Sequence, residues 1–367
     1  MYLTDTVGAV IIYVTHDCNL RCSYCLNSFN GAKNEIDISD NPDYLQKIMA
    51  FINSLTEKIV HVVFFGGEPT LRWDTCKEMY DYISTHIDQS KDLRFIVQTN
   101  GTTIHQIIED LKVMDNLKIS ISLDADQASH DLYRVYQGGA PSYHDIIENI
   151  KLLIKEGLAD RFNIACCFYM KDSARLAERL IAVFELGVKK IRTSSIKEDD
   201  FRPEYLPPYV ESMKKLARYL VEHPDKSYDK FGPFPVESRE GFLRNYHDFR
   251  NNIGTDMCRA GVYRTFVNTN GDMYACPTLM QPSQKLGNLF TKERNLPLVQ
   301  RLHRFYLANC DGCSLRGGCI MCMYKMYYDS GTMFICSDVM ENSCRAKKES
   351  MAYFYELCRK LGYLNEE

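Results

Sequence analysis

The chain has 367 residues, 45% of them hydrophobic and 25% charged, the composition of an ordinary globular protein long enough for two or three domains. A net charge of −4 argues against a general nucleic-acid binder, which needs a basic excess, and no apolar run reaches the length of a membrane span. The opening residues, Met1-Tyr2-Leu3-Thr4-Asp5, carry neither a basic segment nor a cleavable apolar one, so no secretory signal is read and a cytoplasmic protein is expected.

The first predicted element is the β-rich run AVIIYVT (9–15), followed at once by CNLRCSYC (18–25). Leu45, Ile48, Met49, Ile52 and Leu55 then fall at helical spacing. The strand-like runs HVVFFGGE (61–68) and RFIVQTNG (94–101) come next. A helical set follows at Ile107, Ile108, Leu111 and Met114, then a strand KISISLD (118–124). Ile146, Ile147, Ile150, Leu153 and Ile154 mark a further helix, and FNIACCFYM (162–170) and KKIRTSSI (189–196) two more strands. Six strand–helix units in a row predict an α/β protein with a parallel sheet and helices outside it. Near-continuous apolar strands predict that both faces of that sheet are covered.

From about residue 201 the pattern changes. RPEYLPPY leads into one helix (209–222), and HPDKSYDKFGPFPVES reads as a Pro/Gly-rich linker. TFVNTNGDMYAC (265–276) predicts a hairpin turning at Asn270-Gly271, and the chain is expected to end in a helix over 345–361.

Fifteen cysteines in a chain expected in a reducing compartment point to metal or catalysis rather than to disulfides. Cys18, Cys22 and Cys25 form one group; Cys258, Cys276, Cys310, Cys313, Cys319, Cys322, Cys336 and Cys344 form a second. Cys76, Cys166, Cys167 and Cys358 lie outside both and are read as small buried hydrophobes. Thiolates suit zinc or iron–sulfur clusters. A closed zinc site wants four ligands, and three cysteines with no near fourth leave a position open; His16 is close in sequence but reads as structural. GGEP (66–69) and QTNG (98–101) end neighbouring strands, and place Glu68, Gln98 and Asn100 at the strand ends where barrel enzymes carry their sites.

C-x3-C-x2-C with an aromatic before the last cysteine, followed by GGEP after the next strand, resembles the radical S-adenosylmethionine (radical SAM) enzymes. The resemblance implies a partial (β/α)6 TIM-like barrel in which Cys18, Cys22 and Cys25 hold a 4Fe–4S cluster. The open iron of that cluster would chelate S-adenosylmethionine, whose cleavage yields a 5′-deoxyadenosyl radical. It places Tyr24 beside the adenine, and Gly66, Gly67 and Glu68 at the methionine amino group. SLDADQASHDLYR (122–134) is similar to the peptide-modifying branch. There Ser122 would meet the ribose or methionine end and Arg134 the carboxylate, while Ile196 would line the adenine. Ala125-Asp126 stand where that branch has Gly-Pro.

The second cysteine group resembles the SPASM extension, which implies two auxiliary 4Fe–4S clusters and three clusters in all. By that resemblance Cys258, Cys276 and Cys322 hold the first auxiliary cluster, and Cys310, Cys313, Cys319 and Cys344 the second. The Cys319–Cys322 spacing is x2 where the family has x3, and Cys336 competes with Cys344, which is preferred as directly preceding the final helix. The expected organisation is a barrel (1–205), a helix and linker (206–255), an auxiliary domain (256–345) and a C-terminal helix (346–367).

The family's usual partners are a peptide or protein substrate and an electron donor such as flavodoxin or ferredoxin. No leader-binding domain is expected before the first strand. Pro277-Thr278 follow Cys276 where sulfatase-maturating enzymes carry an Asp, which favours a peptide crosslinking enzyme over formylglycine formation. A non-catalytic iron–sulfur or zinc protein that binds a peptide is the alternative of another class, and the cosubstrate clamp at Glu68 and Arg134 argues against it.

Overall fold

All seven side chains of residues 9–15 are buried: the strand they form has a parallel neighbour on each side, and both of its faces are covered. The computed structural model describes residues 8–25, 37–55, 57–196, 202–228, 246–247, 250, 260–261, 264–310 and 338–364. In chain order the strands are β1 (Ala9–Thr15), β2 (Leu20–Cys22), β3 (Ile59–Gly66), β4 (Asp92–Thr99), β5 (Leu117–Ser122) and β6 (Arg134–Tyr136). They continue with β7 (Phe162–Phe168), β8 (Lys190–Ser195), β9 (Ser227–Tyr228), β10 (Arg264–Val267), β11 (Asp272–Tyr274) and β12 (Lys285–Asn288). The α-helices are α1 (Tyr44–Asn53), α2 (Trp73–His86), α3 (Ile108–Val113), α4 (Gln127–Tyr133) and α5 (Tyr143–Lys155). After them come α6 (Leu176–Glu185), α7 (Leu206–Glu222), α8 (Leu296–Cys310) and α9 (Asp338–Lys360). The six strands expected between residues 9 and 196 all form.

The chain divides into two compact units. The first holds residues 1–121, 131–161 and 259–306. Its strands lie in the order β12-β11-β10-β1-β3-β4-β5. β10, β1, β3, β4 and β5 run parallel. The expected hairpin forms from β10 and β11, and joins the sheet by pairing β10 along β1, Ala9 opposite Arg264 and Ile12 opposite Val267. Parallel strands end on the same edge. The cysteine loop after β1, the Gly66–Glu68 segment after β3, the turn after β4 and the hairpin turn after β10 therefore share one rim. A register shift between Tyr13 and Thr15 bulges β1 just before the cysteine loop and re-aims it. On the outside, α5 buries Ile146, Ile147, Ile150 and Leu153, the face its spacing foretells.

The second unit holds residues 122–130, 162–258 and 307–367. In it β7, β8 and β9 are parallel neighbours, and Leu123 N–H donates to the Ala165 carbonyl of β7. α7 begins three residues before the expected 209, with Pro207 and Pro208 in its first turn, where a missing N–H is harmless. The final helix also begins early, at Asp338, so Cys344 lies inside it rather than before it. Cys76, Cys166 and Cys358 are buried, as expected, while Cys167 is half-buried. Among the described residues no helix is long and apolar enough to cross a membrane.

Candidate active site

The loop that carries the first three cysteines is fastened on both sides by backbone. On one side Gly67 N–H donates to the Thr15 carbonyl (2.8 Å) and Glu68 N–H to the Asp17 carbonyl (2.7 Å). The approach is so close that only glycine fits. A Cβ on Gly66 would stand 2.2 Å from the Thr15 oxygen, and one on Gly67 2.1 Å from the Asp17 oxygen. Gly66 also has φ +149, where side chains are disfavoured. The pair of glycines thus serves the chain's own loop as well as any ligand above it.

On the other side β2 and β6 form a separate two-stranded ribbon, with Leu20 opposite Tyr136, Arg21 opposite Val135 and Cys22 opposite Arg134. Gln137 adds its Nε2, donating to the Cys18 carbonyl (2.5 Å), and Ser23 N–H reaches the Tyr133 carbonyl (2.9 Å). Arg134 is 8% exposed and heads a strand, so it is not a surface helix charge. Its Nη1 donates to the Tyr24 hydroxyl (3.0 Å), and its guanidinium lies 5.9 Å from that ring's centre.

Glu68 is fully buried. Its Oε1 accepts from Thr70 N (3.1 Å), Thr70 Oγ1 (2.6 Å) and Thr99 Oγ1 (2.7 Å), and its Oε2 from Asn100 N (2.5 Å). Burial pushes the carboxyl pKa up, and these bonds pull it back. Each carboxylate oxygen offers about two acceptor directions, so Oε1 is fully taken up in tying the end of β3 to the end of β4, while Oε2, with one bond, keeps one direction. Asn100 continues the network. Its Nδ2 donates to Asn19 Oδ1 (2.7 Å) and toward Cys18 Sγ (3.8 Å), and its Oδ1 accepts from Thr102 N (2.9 Å). Gln98 Nε2 donates instead to the Ser120 carbonyl (3.1 Å). Asn149, buried on α5, holds the same turn by donating to the Gly101 (2.8 Å) and Thr102 (3.0 Å) carbonyls. Nothing in a helical pattern marks Asn149 for this task except a polar residue among apolar core positions.

Ser122 and Ile196 belong to the second unit. Ser122 ends β5 half-buried; Ile196 is buried just beyond β8, with its N–H on the Phe168 carbonyl (2.8 Å). Cys276 is half-buried in the first unit, its sulfur 2.9 Å from Thr278 Oγ1. Cys344 is 3% exposed within α9. Cys258, Cys313, Cys319, Cys322, Cys336 and the Cys310 side chain lie outside the described residues.

Two further residues complete the rim. His16 stacks on Tyr13 (centroids 5.2 Å apart) and bonds through Nε2 to Asn268 Oδ1 (2.8 Å). That oxygen also accepts Thr269 N–H (2.9 Å), which fixes it as an acceptor and the His16 nitrogen as the donor. Burial lowers the His16 pKa, against the Asn268 bond and the charge of Asp17, and so favours the neutral ring. Tyr13 is fully buried, and burial first, then the neighbouring Cys276 and Cys25, pushes its phenol well up.

The donor set fits an iron–sulfur cluster. Cys18, Cys22 and Cys25 are half-buried and unbridged, and Cys25 N–H folds back on the Cys22 carbonyl (3.1 Å). Burial pushes the Cys18 thiol up to about 12, while Leu20 N–H (3.4 Å) donates to its sulfur and favours the thiolate. Among the described residues no three Cys, His, Asp or Glu side chains converge closely enough for one metal ion. Thiolates are soft donors suited to iron, and three of them from one loop fall short of the four ligands that a closed zinc site takes.

An α/β fold with a central parallel sheet, a three-cysteine loop fastened to GGE and an arginine–tyrosine pair beside it define a radical SAM protein. The family model for the radical SAM superfamily matches residues 12–172. A cysteine-type anaerobic sulfatase-maturating enzyme of Clostridium novyi is 30% identical over 317 residues, 78% of this chain and 78% of that protein. Mycofactocin maturase MftC of Mycobacterium ulcerans is 28% identical over 335 residues, 84% of this chain and 81% of that protein. The solved structure of anSMEcpe with bound AdoMet shares the TIM-like fold at a TM-score of 0.72 and 16% identity, over 96% of this chain and 94% of that one. The chain belongs to the radical SAM superfamily, whose members use a 4Fe–4S cluster and S-adenosylmethionine.

Proposed function

We propose that this protein is a peptide maturase that forms an oxidative intramolecular crosslink, thioether or carbon–carbon, in a ribosomally made peptide. The observation that carries the radical chemistry is the cysteine loop, locked between Gly66–Glu68 and the strand of Arg134. When bound there, the cluster and S-adenosylmethionine supply a 5′-deoxyadenosyl radical for hydrogen abstraction. Cys18, Cys22 and Cys25 hold the cluster. Arg134 offers its guanidinium to the cosubstrate carboxylate, and Tyr24, held by Arg134, flanks the adenine. Gly66 and Gly67 present backbone to the amino group, joined by the remaining acceptor direction of Glu68. Ser122, Ile196, Gln98 and Asn100 complete the surround. Two auxiliary 4Fe–4S clusters, held by Cys258, Cys276 and Cys322 and by Cys310, Cys313, Cys319 and Cys344, bring the total to three.

The similarity to maturases of proteins and peptides supports a peptide substrate. Crosslinking is preferred to formylglycine formation because Cys276 is followed by Pro277 and neighbours a threonine hydroxyl, with no carboxylate in the next position. The crosslink removes two hydrogens from the peptide: one as an atom to the 5′-deoxyadenosyl radical, the other as a proton and an electron; a donor such as flavodoxin or ferredoxin would supply the electron that cleaves S-adenosylmethionine, and an auxiliary cluster would take up the electron released as the bond closes.

The test is incubation of the anaerobically reconstituted protein with reductant, S-adenosylmethionine and short peptides encoded beside its gene. The expected product lacks two hydrogens and is accompanied by 5′-deoxyadenosine. A thiol or hydroxyl converted to an aldehyde would establish the sulfatase-type reaction instead, and unchanged mass with inverted stereochemistry an epimerase.

A further inference from the structure

The cysteine loop has a third fastening, and it comes from the hairpin. β1 and β10 run in parallel register up to Ile12 and Val267; beyond them β1 continues beside β3 to Thr15, and His16, the next residue, meets Asn268, the residue after β10. Asn268 is 4% exposed, and its backbone N–H, its carbonyl and its side-chain oxygen are all bonded. Its N–H donates to the Asp272 carbonyl (2.8 Å), its carbonyl accepts Gly271 N–H (2.8 Å), and its Oδ1 takes both Thr269 N–H and His16 Nε2. Asn268 therefore moves only with the hairpin turn. At the other end of the bond, the backbone of His16 is wedged against Gly67, where a Cβ would stand 2.5 Å from the His16 carbonyl oxygen. His16 is two residues from Cys18. Its ring is sandwiched by geometry, stacked on buried Tyr13 and bonded to Asn268.

We propose that the Asn268–His16 bridge is a positioning device for cosubstrate binding: it sets the seat of the Cys18–Cys25 loop from the hairpin that ends in Cys276. In this role the two residues act through the loop rather than on the cosubstrate itself. The backbone fastenings to Gly67 and Glu68 hold the loop's height on the rim; the bridge fixes its approach to the hairpin side. The inference rests on the superfamily's cosubstrate chemistry and holds whichever bond the enzyme makes.

The test uses the full-length, anaerobically reconstituted protein with three readouts: S-adenosylmethionine affinity by titration, hydrogen–deuterium exchange of residues 16–25, and the shift of the reduced cluster's electron paramagnetic resonance signal on adding S-adenosylmethionine. Asn268→Ala is expected to weaken affinity by about 2- to 10-fold, the range set by one lost hydrogen bond, and to speed exchange in 16–25 while the sheet strands stay protected. Asn268→Asp, which keeps the acceptor, and His16→Gln, which keeps a donor near Nε2, should both restore near-native values. His16→Phe keeps the stacking on Tyr13 and removes the bond, so it should match Asn268→Ala, and the double variant His16→Phe/Asn268→Ala should be no worse than either. If Asn268→Ala does not fold, His16→Phe against His16→Gln gives the same decision. Unchanged affinity, exchange and signal in His16→Phe, or additive losses in the double variant, would overturn the proposal, even if thermal stability falls.

Discussion

Arg134 donates to the Tyr24 hydroxyl at 3.0 Å because Arg134 is the register partner of Cys22 in a ribbon separate from the main sheet. The arginine, the tyrosine and a cluster cysteine are thus one geometric unit. Arg134→Ala is expected to weaken S-adenosylmethionine binding by roughly 1.5–3 kcal/mol, the usual loss for a hydrogen bond to a charged group. Arg134→Lys should recover part of it, since a point charge cannot make the forked contact. Tyr24→Phe should cost less, about 0.5–1.5 kcal/mol, because a neutral hydroxyl is lost while the ring remains. Calorimetric titration of the reconstituted protein checks all three, and native affinity in Arg134→Ala would remove the residue from the site.

Gly67→Ala tests the backbone fastening. The added carbon would meet carbonyl oxygens of Asp17 and His16 at 2.1 and 2.5 Å, and backbone cannot swing aside as a side chain does. The expected result is a displaced cysteine loop, about four fewer irons per chain for one missing 4Fe–4S cluster, and a stability loss of roughly 1–3 kcal/mol from overpacking. Gly138→Ala is the matched control, since a Cβ there meets nothing within 4 Å. Iron counting and thermal melting of the two variants side by side decide the matter.

Most of the sheet was legible because its strands are apolar and β-rich in a way that only a doubly covered parallel sheet requires. β1, β3, β4, β5, β7 and β8 all fall on runs visible in the sequence. The ribbon of β2 and β6 was not legible: three residues on each side carry no period, and their pairing is set by the fold around them. Asn270-Gly271 announced the hairpin turn, but not that Asn268 beside it bonds to His16, a partner 252 positions away. The early start of α9 was missed because residues 338–344 mix apolar and polar side chains without a clear stripe. Of the site, the motif residues could be named from the chain, whereas Asn19, Thr99 and Asn149, which hold them, could not. Hydrogen-bond partners distant in sequence leave no local pattern.

Trp73 gives an optical handle on one acid group. It is the single tryptophan, and its Nε1 donates to Asp110 Oδ2 (2.7 Å), whose other oxygen pairs with Lys77 (2.9 Å). Burial acts to raise the Asp110 pKa, but the bonds from Lys77 and Trp73 together outweigh it and bring the carboxyl below the usual carboxylate value. A depressed folded pKa contributes stability above the unfolded value, which is lost as pH falls through the folded one. Trp73 fluorescence should therefore stay constant down to about pH 4 and change only below the normal aspartate range. In Asp110→Asn the low-pH step should vanish. A transition centred above pH 5 in the native protein would show that the ion pair does not control this carboxyl.

The last prediction concerns Cys344. It lies within α9, 3% exposed, and the helix begins before it, so its place ahead of the final helix no longer argues for it over Cys336. What remains is the family spacing and its burial, which suits either a cluster shielded from water or simple packing. The proposal of three clusters makes the two readings separable. As a ligand, Cys344→Ala leaves the second auxiliary cluster with three thiolates, and the variant should lose about four of about twelve irons with the corresponding sulfides. As a packing residue it should keep every iron and cost only the small loss of one buried sulfur, about 1 kcal/mol. Cys336→Ala, counted alongside by iron analysis and Mössbauer spectroscopy, is expected to keep all three clusters. The reverse result, iron lost from Cys336→Ala and retained in Cys344→Ala, would move the ligand to Cys336 and leave Cys344 as part of the helix core.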